Sequence, residues 1–140
     1  MKKIFTSIIL VFCVTLISSA GDDKFIDSLR NCSKYHDSGT VDVQGISVET
    51  TKSISGWNDD KCTYREDIKM NGSNMAIACK FSRPQIKEIV SVSDAYFLTL
   101  KYSGEKTDTS SLEAVKNNPI TNVFNKYLQD PSVCTIEGLQ

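Results

Sequence analysis

Residues 61–81 read KCTYREDIKMNGSNMAIACKF, and this stretch carries the fold. Asn71-Gly72 is a favoured two-residue hairpin turn, because both residue types tolerate the positive φ it requires. Folding the chain there sets Met70 opposite Ser73, Ile68 opposite Met75 and Tyr64 opposite Cys79. Side chains alternate across a strand, so one face collects Cys62, Tyr64, Ile68, Met70, Met75, Ile77, Cys79 and Phe81. The other collects Thr63, Arg65, Asp67, Lys69, Asn74 and Lys80. The pattern predicts an antiparallel hairpin with one buried and one wet face. Glu66 is the exception, a carboxylate on the apolar side.

Upstream, Thr40 to Ile54 alternates as a strand, but the phase changes midway. Val41 and Val43 are odd-numbered, whereas Ile46, Val48 and Ile54 are even-numbered, and Gly45 at the switch predicts a β-bulge. Ser55 to Asp59 reads as a loop. Asp22-Asp23 precede a helical pattern with Phe25, Ile26, Leu29 and Cys32 on one face, the acids suiting the positive end of the helix dipole. Asp37-Ser38-Gly39 breaks it.

Downstream, Ser82 is an N-cap and Pro84 sits in the first turn of a helix, where its missing N–H costs little. Ile86, Ile89, Val90, Tyr96, Phe97 and Leu100 form its apolar stripe, and Gly104 ends it. A polar stretch follows, with one helical turn expected through Leu112 and Val115. Asn118-Pro119 opens a last helix with Ile120, Val123, Phe124, Tyr127 and Leu128 on one face, and Asp130-Pro131 stops it before a short tail. The expected class is α+β: an N-terminal helix, a three-stranded antiparallel meander, and two C-terminal helices packed on one face.

The 140 residues are 40% apolar and 24% charged, with 16 Lys or Arg against 17 Asp or Glu. That is one domain with a modest core. Without a basic block there is no electrostatic footprint for nucleic acid. Met1-Lys2-Lys3, the apolar run Ile4 to Ile17 and Ser18-Ser19-Ala20 have the three parts of a secretory signal peptide, cut after Ala20. The run of about 14 residues is short of the roughly 18 needed to span a bilayer, so no stable anchor survives cleavage. Phe12 before Cys13 lacks the small residue of a lipobox. Residues 1–20 are therefore read as an address and residues 21–140 as a single secreted or periplasmic domain. Its first partners are the secretory machinery and signal peptidase. Losing Lys2 and Lys3 and no acid takes the cations from 16 to 14 against 17 acids, a formal charge of −3.

Cleavage also removes Cys13 and leaves Cys32, Cys62, Cys79 and Cys134, an even set that implies two disulfides in an oxidising compartment. Cys62 and Cys79 share a face of adjacent strands, diagonally offset, near the limit of disulfide reach. Cys62–Cys79 with Cys32–Cys134 is the preferred pairing. Cys32–Cys62 with Cys79–Cys134 is the alternative.

Three chemistries are weighed against plainer readings. Cys32 and His36, four apart and followed by Asp37, would form a thiolate–imidazole nucleophile if the helix continued. Cys32, His36, Cys62 and Cys79 match a Cys₃His zinc set without its usual short C-x-x-C spacing. Glu66 could be a carboxylic acid with a raised pKa, although Asp67 points the other way and cannot complete a glycosidase pair. The favoured readings are a disulfide for the cysteines, a solvated helix end for His36, and a sheet-edge position or a Lys or Arg pair for Glu66, and no metal ligand set is assigned. Asp59-Asp60 beside Trp57-Asn58 supplies loop oxygens but lacks the spacing of a calcium loop. Asn31-Cys32-Ser33 and Asn71-Gly72-Ser73 match the N-glycosylation pattern, which has meaning only in a eukaryotic secretory pathway. Glycine-rich phosphate loops, nucleophile elbows and H-E-x-x-H helices are absent from the sequence, so no cofactor is expected.

The sequence therefore points to a small exported protein that acts by binding rather than catalysis. Trp57, Asn58, Asp59 and Asp60 are the candidate contact residues, Trp57 either capping the core or anchoring a partner. One specific form is an inhibitor of an extracytoplasmic hydrolase, presenting a rigid loop from a cross-linked scaffold. An enzyme built on Cys32/His36 or on Glu66 is the competing class.

Overall fold

The computed structural model describes residues 22–43, 45–105 and 117–138. The signal peptide expected at residues 1–20 and the helical turn expected at Leu112–Val115 lie outside them. The class is α+β: helix α1 (Asp22–Asn31) leads into strands β1 (Tyr35–Val43), β2 (Ile46–Asn58), β3 (Lys61–Met70) and β4 (Ser73–Phe81). Helices α2 (Arg83–Ser103) and α3 (Pro119–Leu128) follow, and the chain returns as β5 (Cys134–Glu137). The five strands form one antiparallel sheet in chain order.

The β3–β4 hairpin has the register read from its turn, with Met70 opposite Ser73 and Tyr64 opposite Cys79. Asn71 and Gly72 both take positive φ. The buried face carries Cys62, Tyr64, Ile68, Ile77, Cys79 and Phe81. Phe25 of α1 packs on Tyr64, while Phe124 and Tyr127 of α3 pack edge-on against Phe81. The side chains Ile86, Ile89 and Val90 of α2 complete the same cluster.

The three-stranded meander is corrected to five strands. The phase change at Gly45 is a chain reversal, not a bulge, because Val43 pairs with Ile46 and the chain doubles back as β2. Both a bulge and a hairpin invert the alternation, and glycine serves either. The bulge lies ten residues further on, between Ile54 and Gly56, where the β2–β3 register slips by one. Gly56 takes φ 107°, a conformation few other residues adopt. The slip turns Trp57 to the inner face opposite Cys62, so the expected loop is a continuation of β2.

The tail is likewise a strand. Cys79 and Cys134 face each other in the β4–β5 register with Cα atoms 4.1 Å apart and are disulfide-bonded. Cys62 faces Phe81, one diagonal step from Cys79, and bonds instead to Cys32 at the end of α1, with Cα atoms 5.9 Å apart. The preferred pairing Cys62–Cys79 with Cys32–Cys134 is thus replaced by the alternative one. The reason is geometric: a direct cross-strand partner displaces a diagonal one at the edge of disulfide reach.

The helix boundaries follow the capping chemistry. Ser82 accepts from the Gln85 N–H while the Gln85 side chain accepts from the Ser82 N–H, a reciprocal capping box. Gly104 closes α2 in the left-handed conformation. Asn118 caps α3 by accepting from the Ile120 N–H, and Pro119 occupies its first turn.

Candidate functional site

Near the first disulfide, three elements converge on a groove of about 340 Å³. The bulged end of β2 supplies Trp57, half-buried against the core, and α1 supplies Arg30 from its last turn. The first half of α2 supplies Ile86 and Val90 as an apolar floor and Arg83, Lys87 and Asp94 as polar walls.

The charges are not equivalent. Arg30 donates two parallel hydrogen bonds to the Asp94 carboxylate, at 2.9 and 2.8 Å, and lies 3.6 Å from Asp27. The hydrogen bond from Arg30 holds the Asp94 carboxyl below the usual range, and the same bond raises Arg30. This pair ties α1 to α2 and has little charge left for a ligand. The Arg83 guanidinium lies over the Trp57 indole, 4.2 Å from its centroid, a cation–π geometry worth about 0.5–1 kcal/mol at an exposed site. Lys87 is one turn further along α2 on the same face. Among the described residues, neither Arg83 nor Lys87 has an acidic partner. The groove therefore presents two uncompensated cations beside an aromatic ring and an apolar floor.

The other sequence candidates separate. Asn58, Asp59 and Asp60 are exposed at the tight β2–β3 turn, where Asp59 takes φ 56°, and they do not line the groove. The helical face expected to join Cys32 to His36 ends at Asn31. Cys32 is buried in its disulfide and His36 lies exposed on β1 opposite Ser53. A disulfide sulfur has no thiolate to offer as nucleophile or ligand. Among the described residues no three His, Cys, Asp or Glu side chains gather as a metal centre would need.

Glu66 is fully buried, neither at a sheet edge nor at the surface. It accepts a 2.8 Å hydrogen bond from the Tyr64 hydroxyl and stands opposite Lys52, which is also buried. The Lys52 ammonium lies 5.6 Å from the Phe25 ring centroid. Burial, reinforced by the Glu66 charge, pushes the Tyr64 hydroxyl well above the usual phenol range. The cluster has the form of a satisfied internal network rather than an open acid site.

Arg30, Arg83 and Lys87 were not among the residues singled out from sequence. The Arg83/Lys87 spacing was visible, but its meaning depends on Trp57, which joins that surface only through the bulge after Ile54. No protein-family model matches the chain, and comparisons with curated proteins and with solved structures find no match.

Proposed function

We propose that this is an exported, disulfide-stapled protein that acts by binding, and that the groove beside Trp57 receives an acidic segment of a protein partner. The observation that carries the reading is the pair of cations, Arg83 and Lys87, without acidic partners among the described residues and beside a half-buried aromatic anchor. Aromatic residues and arginine on a rigid frame are the usual carriers of binding energy. The Cys32–Cys62 bridge next to Trp57 favours such preorganisation.

Export, with cleavage after Ala20, is supported by the basic, apolar and small-residue parts of residues 1–20. Two disulfides in a small domain are consistent with an extracellular location. The inhibitor form of the proposal draws on the exposed Asn58-Asp59-Asp60 turn, which sits two residues from the Cys62 bridge.

Trp57 is the only tryptophan of the chain, so its emission reports on the groove alone. Titration with a glutamate-rich peptide is expected to change that emission saturably and to weaken with added salt. A hydrogen bond to a charged group is worth about 1.5–3 kcal/mol, so Arg83→Ala should weaken binding about tenfold or more. A lysine-rich peptide giving the same response, or no response to either peptide, would refute the acidic-ligand reading. Intact mass of the exported protein tests the leader, with loss of residues 1–20 as the expected result.

A further inference from the structure

The sheet has two unlike edges. At one, β5 is four residues long, is cross-linked to β4 and is crossed by the Arg65–Glu137 ion pair. At the other, β1 runs nine residues, YHDSGTVDV, pairing with β2 from Tyr35↔Ile54 to Val43↔Ile46 without a register break. Edge strands are normally blunted by lysine, proline, a bulge or shortness. The β1 edge has no lysine, proline or bulge, its acidic side chains are Asp37 and Asp42, and among the described residues no strand pairs with its outer side.

Its geometry restricts what can add to it. In a hairpin closed by Val43 opposite Ile46, the closing pair exchanges hydrogen bonds, so the odd-numbered residues of β1 turn their backbone groups toward β2. The close approach of the Ser38 and Thr51 hydroxyls, 3.0 Å apart, fits the intervening non-hydrogen-bonded pairs. His36, Ser38, Thr40 and Asp42 therefore turn N–H and C=O outward. A second antiparallel copy of β1 must match outward residues to outward residues, so partners have the same parity. That rule prevents Asp37 from ever facing Asp42 of the other copy. Centring the pair on Gly39 aligns all nine residues and sets His36 opposite Asp42 near both ends, where an imidazole N–H can donate to the carboxylate. Moving the centre by one residue either way shortens the ladder to seven pairs and loses both matches.

We infer that β1 is a self-association edge, through which two copies of the chain pair antiparallel about Gly39 and join their sheets into one of ten strands. The occupant is a second copy because one register of the edge against itself pairs all nine residues and sets an imidazole donor against a carboxylate acceptor twice. The inference is independent of the tryptophan groove.

Sedimentation velocity of the purified protein from about 1 to about 500 µM tests it, since a dimer must grow with concentration. The expected result is a shift from monomer to twice its mass. Thr40→Pro removes an outward N–H from each copy without touching the β1–β2 ladder and is expected to weaken association about tenfold. Asp42→Lys, on the exposed face, is expected to weaken it as well and serves if the proline variant fails to fold. A protein that stays monomeric throughout, or a dimer unmoved by either substitution, would overturn the inference.

Discussion

Tyr64 shows how one residue converts a liability into structure. Glu66 faces the core because it alternates in phase with Tyr64 and Ile68, and a carboxylate there needs donors. The Tyr64 hydroxyl, two residues earlier on the same face, supplies one at 2.8 Å. Removing it in Tyr64→Phe is expected to cost about 1–3 kcal/mol at neutral pH, read as a lower denaturant midpoint. The pH dependence has a definite sign. Burial and the Glu66 charge raise the hydroxyl in the folded protein above its unfolded value of about 10. The associated stability is thus complete below that pH and is lost as the pH climbs toward the folded value. Denaturation from about pH 8 to about pH 11 should show that loss, and the Phe variant should show less of it. Equal alkaline losses in both proteins would mean that the Tyr64 hydroxyl ionises in the folded protein as it does in the unfolded chain, or that other groups dominate.

Among the elements, β5 depends most on its attachments. Four residues are too few to hold a sheet edge by backbone bonds alone. Three devices compensate: the Cys79–Cys134 bridge, the Arg65–Glu137 pair and the close seat of Gly138. At Gly138, with φ 84°, a Cβ atom would come within 2.7 Å of the Asn74 carbonyl oxygen. Replacing Cys79 and Cys134 together by alanine is expected to cost about 2–4 kcal/mol. Hydrogen exchange should locate the damage, with residues 134–137 losing protection while the β2–β3 ladder keeps it. Uniform loss across the sheet would show that β5 and the sheet centre open as one unit. This element was also the hardest to read from sequence. A four-residue segment after Asp130-Pro131 has too little alternation to declare itself, and only its cysteine hinted at a fixed position. The capped helices and the Asn71-Gly72 hairpin were legible because their signals are local. The pairing of the cysteines and the meeting of Trp57 with Arg83 were not, because each depends on an element or a bulge that brings distant residues together.

For the whole molecule, the covalent links should decide whether it folds. Domains of this size are stable by roughly 5–15 kcal/mol, and two disulfides at about 2–4 kcal/mol each make up much of such a margin. Full reduction is therefore expected to leave much of the population unfolded at body temperature, seen as lost strand and helix signal in circular dichroism. A reduced protein melting within a few degrees of the oxidised one would show that the core alone suffices. The two bridges also have an order. Cys32 joins Cys62, and Cys79 joins Cys134, so neither loop encloses or interleaves with the other. In a chain threaded N-terminus first into an oxidising space, each of these four cysteines emerges to find its native partner as the next of the four in line or the one just before it. An oxidase that links thiols in the order they emerge would make the correct pairs at the first attempt. Maturation would then require an oxidant but no shuffling enzyme.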